Sequence, residues 1–347
     1  MITSQNPTGL AGIQFIEFAS PHPDQLHDLF LQLGFSHVMV HSTRKIDLYR
    51  QHSIAFLINR EPMTFANDFS QKHGPSLCSM GWRIESAAQA FSTTIERGPS
   101  ASKCRDYDRL AAIEGVGGSN IYFCDTHEAG SPQFYLSLGF RELTQPNLVP
   151  DKGFLAIDHL TNNVEKGEMG RWASFYKSIF GFTEVRYFDI RGAKTGLTSY
   201  ALRSPDGSFC IPINEGTEAK SQINEYLEEY RGAGVQHLAF LTEDILGSLG
   251  KLEGSAIQTL DIDSEYYQDI FTKIPGVTED HREIQQRNVL IDGDNEGYLL
   301  QIFTKNLIGP IFIEIIQRKN HLSFGEGNFG ALFRSIERDQ MKRGYLK

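Results

Sequence analysis

The chain carries two copies of one pattern. GIQFIEFASPHPDQLHDLFLQLGF (12–35) reads as strand, loop, amphipathic helix and Leu-Gly-Phe, and AIDHLTNNVEKGEMGRWASFYKSIFGF (156–182) follows the same order to Phe-Gly-Phe. A duplicated supersecondary unit restricts the fold to architectures that pair or stack such units. GSPQFYLSLGF (130–140) and TEDILGSL (242–249) read as the helices of two further copies. Four βα-type modules, two per half, account for the 347 residues. The polar, Pro-containing stretch TQPNLVPDKG (144–153) sets the expected boundary, giving an N-terminal half 1–150 and a C-terminal half 151–347.

Strand-like runs outnumber helical ones. They include IQFIEF (13–18), SIAFLI (53–58), NIYFCD (120–125), FLAIDHL (154–160), VQHLAFL (235–241) and YLLQIFT (298–304). The helical stretches between them are short, as in DQLHDLFLQLGF (24–35), MGRWASFYKSIFGF (169–182) and KSQINEYLEEYRG (220–232). This pattern argues against a doubly wound parallel sheet and for an α+β chain with curved, mainly antiparallel sheets.

IFIEIIQRKN (311–320) poses the chemical question. Its two-residue period is that of a strand with both faces buried, yet Glu314 stands between Phe312 and Ile316. A buried carboxylate must be protonated, paired or bound to a metal. His159 in FLAIDHLTN and His237 in VQHLAFL are likewise polar residues on apolar strand faces. The intervals are nearly equal, 237 − 159 = 78 and 314 − 237 = 77. In a repeat protein such spacing suggests equivalent strands around one cavity. Two imidazoles and one carboxylate on one face of a metal are the arrangement of non-haem Fe(II) oxygenases. Taken singly, each residue has a plainer reading: a strand His bonded to a backbone carbonyl, or a Glu paired with Arg318 or Arg334. Comparison of the halves sets Phe18 opposite His159 and Ser79 or Met80 opposite His237, so the first half lacks the constellation. The other nine histidines, His73 and His127 among them, are expected to be solvated.

Composition narrows the partners. A net charge of −10 argues against nucleic acid or an anionic membrane surface. No run of about 18 apolar residues is present, and MITSQNPTGL lacks the basic start and apolar core of a signal peptide. Cys78, Cys104, Cys124 and Cys210 are expected to be reduced thiols in a cytoplasmic protein. Neither GxGxxG nor GxxxxGK[ST] occurs.

NPTGLAGIQFIEFASP, FLAIDHLTNNV, FCIPINE, KSQINEYL, GAGVQHLAFLTEDI, LLQIFTKN, GPIFIEIIQRKN and FGEGNFGALFRSIERDQ together give the chain a family signature. Through them it resembles the 4-hydroxyphenylpyruvate dioxygenases of bacteria over essentially its whole length. The resemblance implies the vicinal-oxygen-chelate architecture of paired βαβββ modules, with Fe(II) on His159, His237 and Glu314. It implies a pocket whose polar lining is Ser199, Asn214, Gln222, Gln236 and Gln301, with Pro212 beside Asn214 in IPINE. Its apolar walls would be Phe303, Phe312, Phe324 and Phe329. Asn214, Gln236 and Gln301 would be catalytic contacts, and the C-terminal helix with Phe329, Leu332, Phe333 and Ile336 a lid. The implied reaction joins 4-hydroxyphenylpyruvate and O2 to give homogentisate and CO2, in a homo-oligomer. Hydroxymandelate synthase, an extradiol dioxygenase and a non-catalytic binding protein of the same fold are the alternatives; Pro212, Asn214 and Phe303 favour the first reading.

Overall fold

The computed structural model describes residues 2–125, 131–192 and 194–346, so His127 lies outside the described residues. The first eight strands are β1 (Leu10–Ala19), β2 (Ser36–His41), β3 (Ile46–Gln51), β4 (Ile54–Asn59), β5 (Ser76–Ile84), β6 (Ala112–Glu114), β7 (Asn120–Asp125) and β8 (Phe140–Asn147). They form a sheet in the order β6-β7-β5-β1-β4-β3-β2-β8. The next eight are β9 (Ala156–Val164), β10 (Thr183–Arg191), β11 (Gly196–Arg203), β12 (Cys210–Gly216), β13 (Gly234–Thr242), β14 (Leu290–Gly293), β15 (Tyr298–Phe303) and β16 (Phe312–Lys319). Their order is β10-β11-β12-β9-β13-β16-β15-β14.

These orders reveal the module. A strand, a helix and three hairpin-linked strands follow one another, and the last strand returns parallel to the first. The parallel pairs β1–β4, β9–β12 and β13–β16 are those closures. A parallel pair needs a long crossover, which the helix and the two intervening strands supply, whereas tight turns suffice for hairpin-linked neighbours. The helix Ile245–Leu252 follows β13 where TEDILGSL predicts it, N-capped by Asp244 on the Gly247 amide.

The other expected helix is misplaced. The module begun by β5 uses Ala87–Glu96 as its helix, while 130–140 yields the short helix Pro132–Ser137 leading into β8, which pairs with β2 at the outer edge. Leu-Gly-Phe misled because it marks a helix end. Gly139 takes φ +95 there, a conformation that stops any helix without Cβ strain. Among the described residues the same module has β6 and β7 after its helix, with an isolated bridge, Ala101 to Ile113, ahead of them.

The segment that replaces the strand fills the N-terminal sheet's interior. Tyr107 and Leu110 pack there with Phe15, Leu48, Leu57 and Tyr122. Tyr107 donates to Glu17 Oε1 at 2.7 Å, Asn59 Nδ2 donates to the same oxygen at 3.0 Å, and the Ser79 hydroxyl donates to Oε2. Asn59 Nδ2 also reaches Asp106 Oδ2 at 3.2 Å. Burial and the Asp106 charge push the Glu17 carboxyl up. Phe18 packs on Phe30 and Phe56, and Ser79 serves Glu17.

One apolar core joins the two sheets. Phe35 and Phe56 meet Phe240 at ring distances of 5.8 and 6.0 Å, and Trp82 meets Phe180 at 4.7 Å. His73 belongs to this seam and is buried, contrary to the expectation of solvation. Its Nδ1 lies 2.7 Å from the Tyr230 carbonyl and its ring lies against Phe69 and Tyr230, which together replace water. All four cysteines are free, and only Cys104 is exposed.

Candidate metal centre

Glu314 is answered by the neighbouring strands. In the C-terminal sheet β13 lies between β9 and β16. Ala239 of β13 faces His159 on one side and Glu314 on the other. His237, two residues earlier and so on the same face, lies opposite Thr161. Register shifts flank this stretch of the β9–β13 ladder, and such irregularities re-aim side chains. The Ala239 methyl is small enough to leave room between imidazole and carboxylate.

The three side chains converge. His159 Nε2 is 3.1 Å from Glu314 Oε2 and 3.3 Å from His237 Nε2, and His237 Nε2 is 3.5 Å from Glu314 Oε2. Donors about 2.1 Å from a shared ion stand about 3.0 Å apart at right angles and about 3.4 Å apart at the tetrahedral angle. The observed triangle has the size that a shared ion requires, and all three residues are at least largely buried. The donor set, two imidazole nitrogens and one carboxylate, suits Fe(II).

Charge organises the triangle. Burial opposes charge on His159, but Glu314 and Asp158 outweigh it and raise the imidazole to about 9. Burial likewise works against the Glu314 carboxylate, yet His159 holds it far below its ordinary value. His237 moves down through burial. Its Nε2 also lies 2.9 Å from the Thr161 hydroxyl. Neither arginine near in sequence neutralises Glu314. Arg318 pairs with Asp158 at 2.7 Å and Arg334 lies 3.5 Å from Asp263; among the described residues no Lys or Arg forms an ion pair with Glu314.

The three side chains line one cavity. Every pocket residue expected from the sequence lines it: Ser199, Pro212, Asn214, Gln222, Gln236, Gln301, Phe303, Phe312, Phe324 and Phe329. Ser199 and Asn214 are cross-strand partners on β11 and β12. Gln222 starts a helix, Gln222–Tyr230, whose N-cap Ser221 accepts from the Asn224 amide. The Phe312 ring stacks on His237 at 4.7 Å and Phe324 meets His159 edge-on at 5.7 Å. Gln301 is buried with neither end of its amide bonded inside the protein. An unbonded buried amide costs about 1–3 kcal/mol, a marker of ligand contact. Gly325, at φ +79, passes over that amide where any Cβ would strike it. The helix Phe329–Lys342 contributes Leu332, Phe333 and Ile336 to the same lining. Sequence reasoning missed Phe188 and Ile190 of β10 and Leu197 of β11, although the alternation in YFDIR was a signal for the first two.

Comparison with known proteins gives the family. Residues 4–138 match the family model described as "Hydroxyphenylpyruvate dioxygenase, HPPD, N-terminal", and residues 156–280 match the "Glyoxalase/Bleomycin resistance protein/Dioxygenase superfamily". The 4-hydroxyphenylpyruvate dioxygenase of Legionella pneumophila is 43% identical over 350 residues, with 99% of each chain covered. The chain belongs to the 4-hydroxyphenylpyruvate dioxygenase family. As a member of that family it is a dioxygenase, and its paired modules are those of the vicinal-oxygen-chelate fold. Protein MelA of Shewanella colwelliana is 56% identical over the full length of both chains. A mutant of 4-hydroxymandelate synthase from Streptomyces coelicolor shares the fold at a TM-score of 0.82 and 22% identity, covering 96% of this family member and 99% of that chain. Among the described residues no helix is long and apolar enough to cross a membrane.

Proposed function

We propose that the chain converts 4-hydroxyphenylpyruvate and O2 to homogentisate and CO2, with Fe(II) held by His159, His237 and Glu314. The observation that supports this most is the donor triangle of 3.1, 3.3 and 3.5 Å with no Lys or Arg paired to its carboxylate among the described residues. Bound there, Fe(II) supplies the redox chemistry and Lewis acidity that oxygen activation needs. Loss of CO2 from the substrate provides two electrons, so no nicotinamide or flavin is required.

The chain's own share is recognition and dryness. A flat phenol with a charged 2-oxo acid tail calls for aromatic faces and a few neutral hydrogen-bonding groups. Phe303, Phe312, Phe324 and Phe329 supply the faces. Ser199, Asn214, Gln222, Gln236 and Gln301 supply neutral donors and acceptors, the unbonded Gln301 amide foremost. Asn214, Gln236 and Gln301 are the catalytic contacts of this reading, and the helix Phe329–Lys342 keeps water from the reacting atoms.

The test is an anaerobic titration of the Fe(II)-loaded protein with 4-hydroxyphenylpyruvate, followed by oxygen uptake and product chromatography. The charge-transfer band of a chelated 2-oxo acid and homogentisate in the effluent are expected. 4-Hydroxymandelate as the product, or oxygen uptake that does not depend on substrate, would overturn the assignment.

A further inference from the structure

Two imidazoles point at the same centre, but their backing differs. His237 Nδ1 lies 3.2 Å from Gln236 Oε1, a neutral amide. His159 Nδ1 lies 2.8 Å from Asp158 Oδ2, a carboxylate. With Nδ1–H donated to that carboxylate, Nε2 is the nitrogen turned toward Glu314 and His237, the atom that would meet a shared ion.

Arg318 uses its fork on both sides of this arrangement. Nε and Nη2 grip Asp158 Oδ1 and Oδ2 at 2.7 and 2.8 Å. Nη1 donates to the carbonyls of His321 and Ser323 at 3.1 and 2.6 Å. Those carbonyls belong to the loop that delivers Phe324 onto the His159 ring. One guanidinium therefore grips the carboxylate behind the ligand and the backbone of the segment in front of it. A lysine ammonium could reach one of these partners, but it lacks the planar fork that serves both.

We propose that Arg318 is a positioning residue, which through Asp158 sets the orientation of His159 and ties it to the loop that carries Phe324. This rests on the metal-centre reading above. The apo-protein and its Arg318→Lys, Arg318→Gln and Asp158→Asn variants are titrated with Co(II), with the visible absorption of the bound ion and the hydrogen exchange of residues 321–325 recorded. Loss of a supporting partner behind a metal-binding His weakens affinity by about 10- to 100-fold. That loss and altered Co(II) bands are expected in all three variants, with faster loop exchange in the Arg318 variants and less in Asp158→Asn. Wild-type affinity and spectrum in a folded Arg318→Gln, or in Arg318→Lys should the first not fold, would overturn the proposal. Failure of the wild type itself to bind Co(II) would instead sink the metal-centre reading.

Discussion

His159 and Glu314, 155 residues apart in the chain, bring Nε2 and Oε2 to 3.1 Å across a single intervening strand. The residue between them on that strand is Ala239, fully buried and too small to block their meeting. The candidate centre depends on a carboxylate at one end of this row and on a methyl in its middle.

Glu314→Gln keeps the shape and removes the charge. Metal at about one hundred times its Kd stabilises a protein by about 2.7 kcal/mol. Wild-type apo-protein should gain that stability on adding Fe(II) or Co(II), and the variant should gain almost none and turn over no substrate. Thermal melts with and without metal decide it; an equal gain in both would remove Glu314 from the site.

Ala239→Val tests the methyl. Overpacking a tight core costs about 1–3 kcal/mol, which a chain with this core should survive. The added methyls spread His159 from Glu314, so Co(II) affinity should fall by more than about tenfold, as it does when ligand geometry is disturbed. Circular dichroism would verify the fold and calorimetric titration the affinity.

Phe312 stacks on His237 and lines the cavity. Phe312→Ala, like Phe303→Ile, should change the partition among products more than KM, because a wall that orients the ring is lost while the polar contacts stay. Chromatography of the products against wild type gives the answer; an unchanged ratio would mean that neither ring steers the substrate.

Glu17 makes a pH prediction far from the metal. Burial and Asp106 raise its folded-state carboxyl above the ordinary 4.5. A raised acid binds its proton more tightly folded than unfolded, so stability declines as pH rises through the window and the loss is complete above the folded value. Between about pH 5 and pH 8 the apo-protein should melt progressively lower, and Glu17→Gln should flatten the profile and melt higher at the alkaline end. A variant whose Tm follows the wild-type curve would show that Glu17 does not titrate there.

Much of the site is legible in one dimension because it sits on strands. A two-residue period makes a polar residue among apolar ones conspicuous, as Glu314 is between Phe312 and Ile316. The repeat makes its absence from the other half visible. Chain-order reasoning fails where a motif has a local meaning only. Leu-Gly-Phe specifies a helix stop at Gly139, and nothing local separates a module's helix from the one that leads into β8.

By itself, then, the amino-acid order determined the strand period, the duplicated unit, the two imidazoles and the acid, and a family signature. Tertiary structure alone decided which partner each charge receives. Arg318 could have closed on Glu314, four residues away; the sheet register instead sets it against Asp158, 160 residues away, leaving Glu314 with the histidines. It also decided that Tyr107 and Leu110 fill one bowl of strands while the other keeps its cavity. The physical reason is common to both: Coulomb energy and close packing depend on distances through space, and those are set only when the strands have paired.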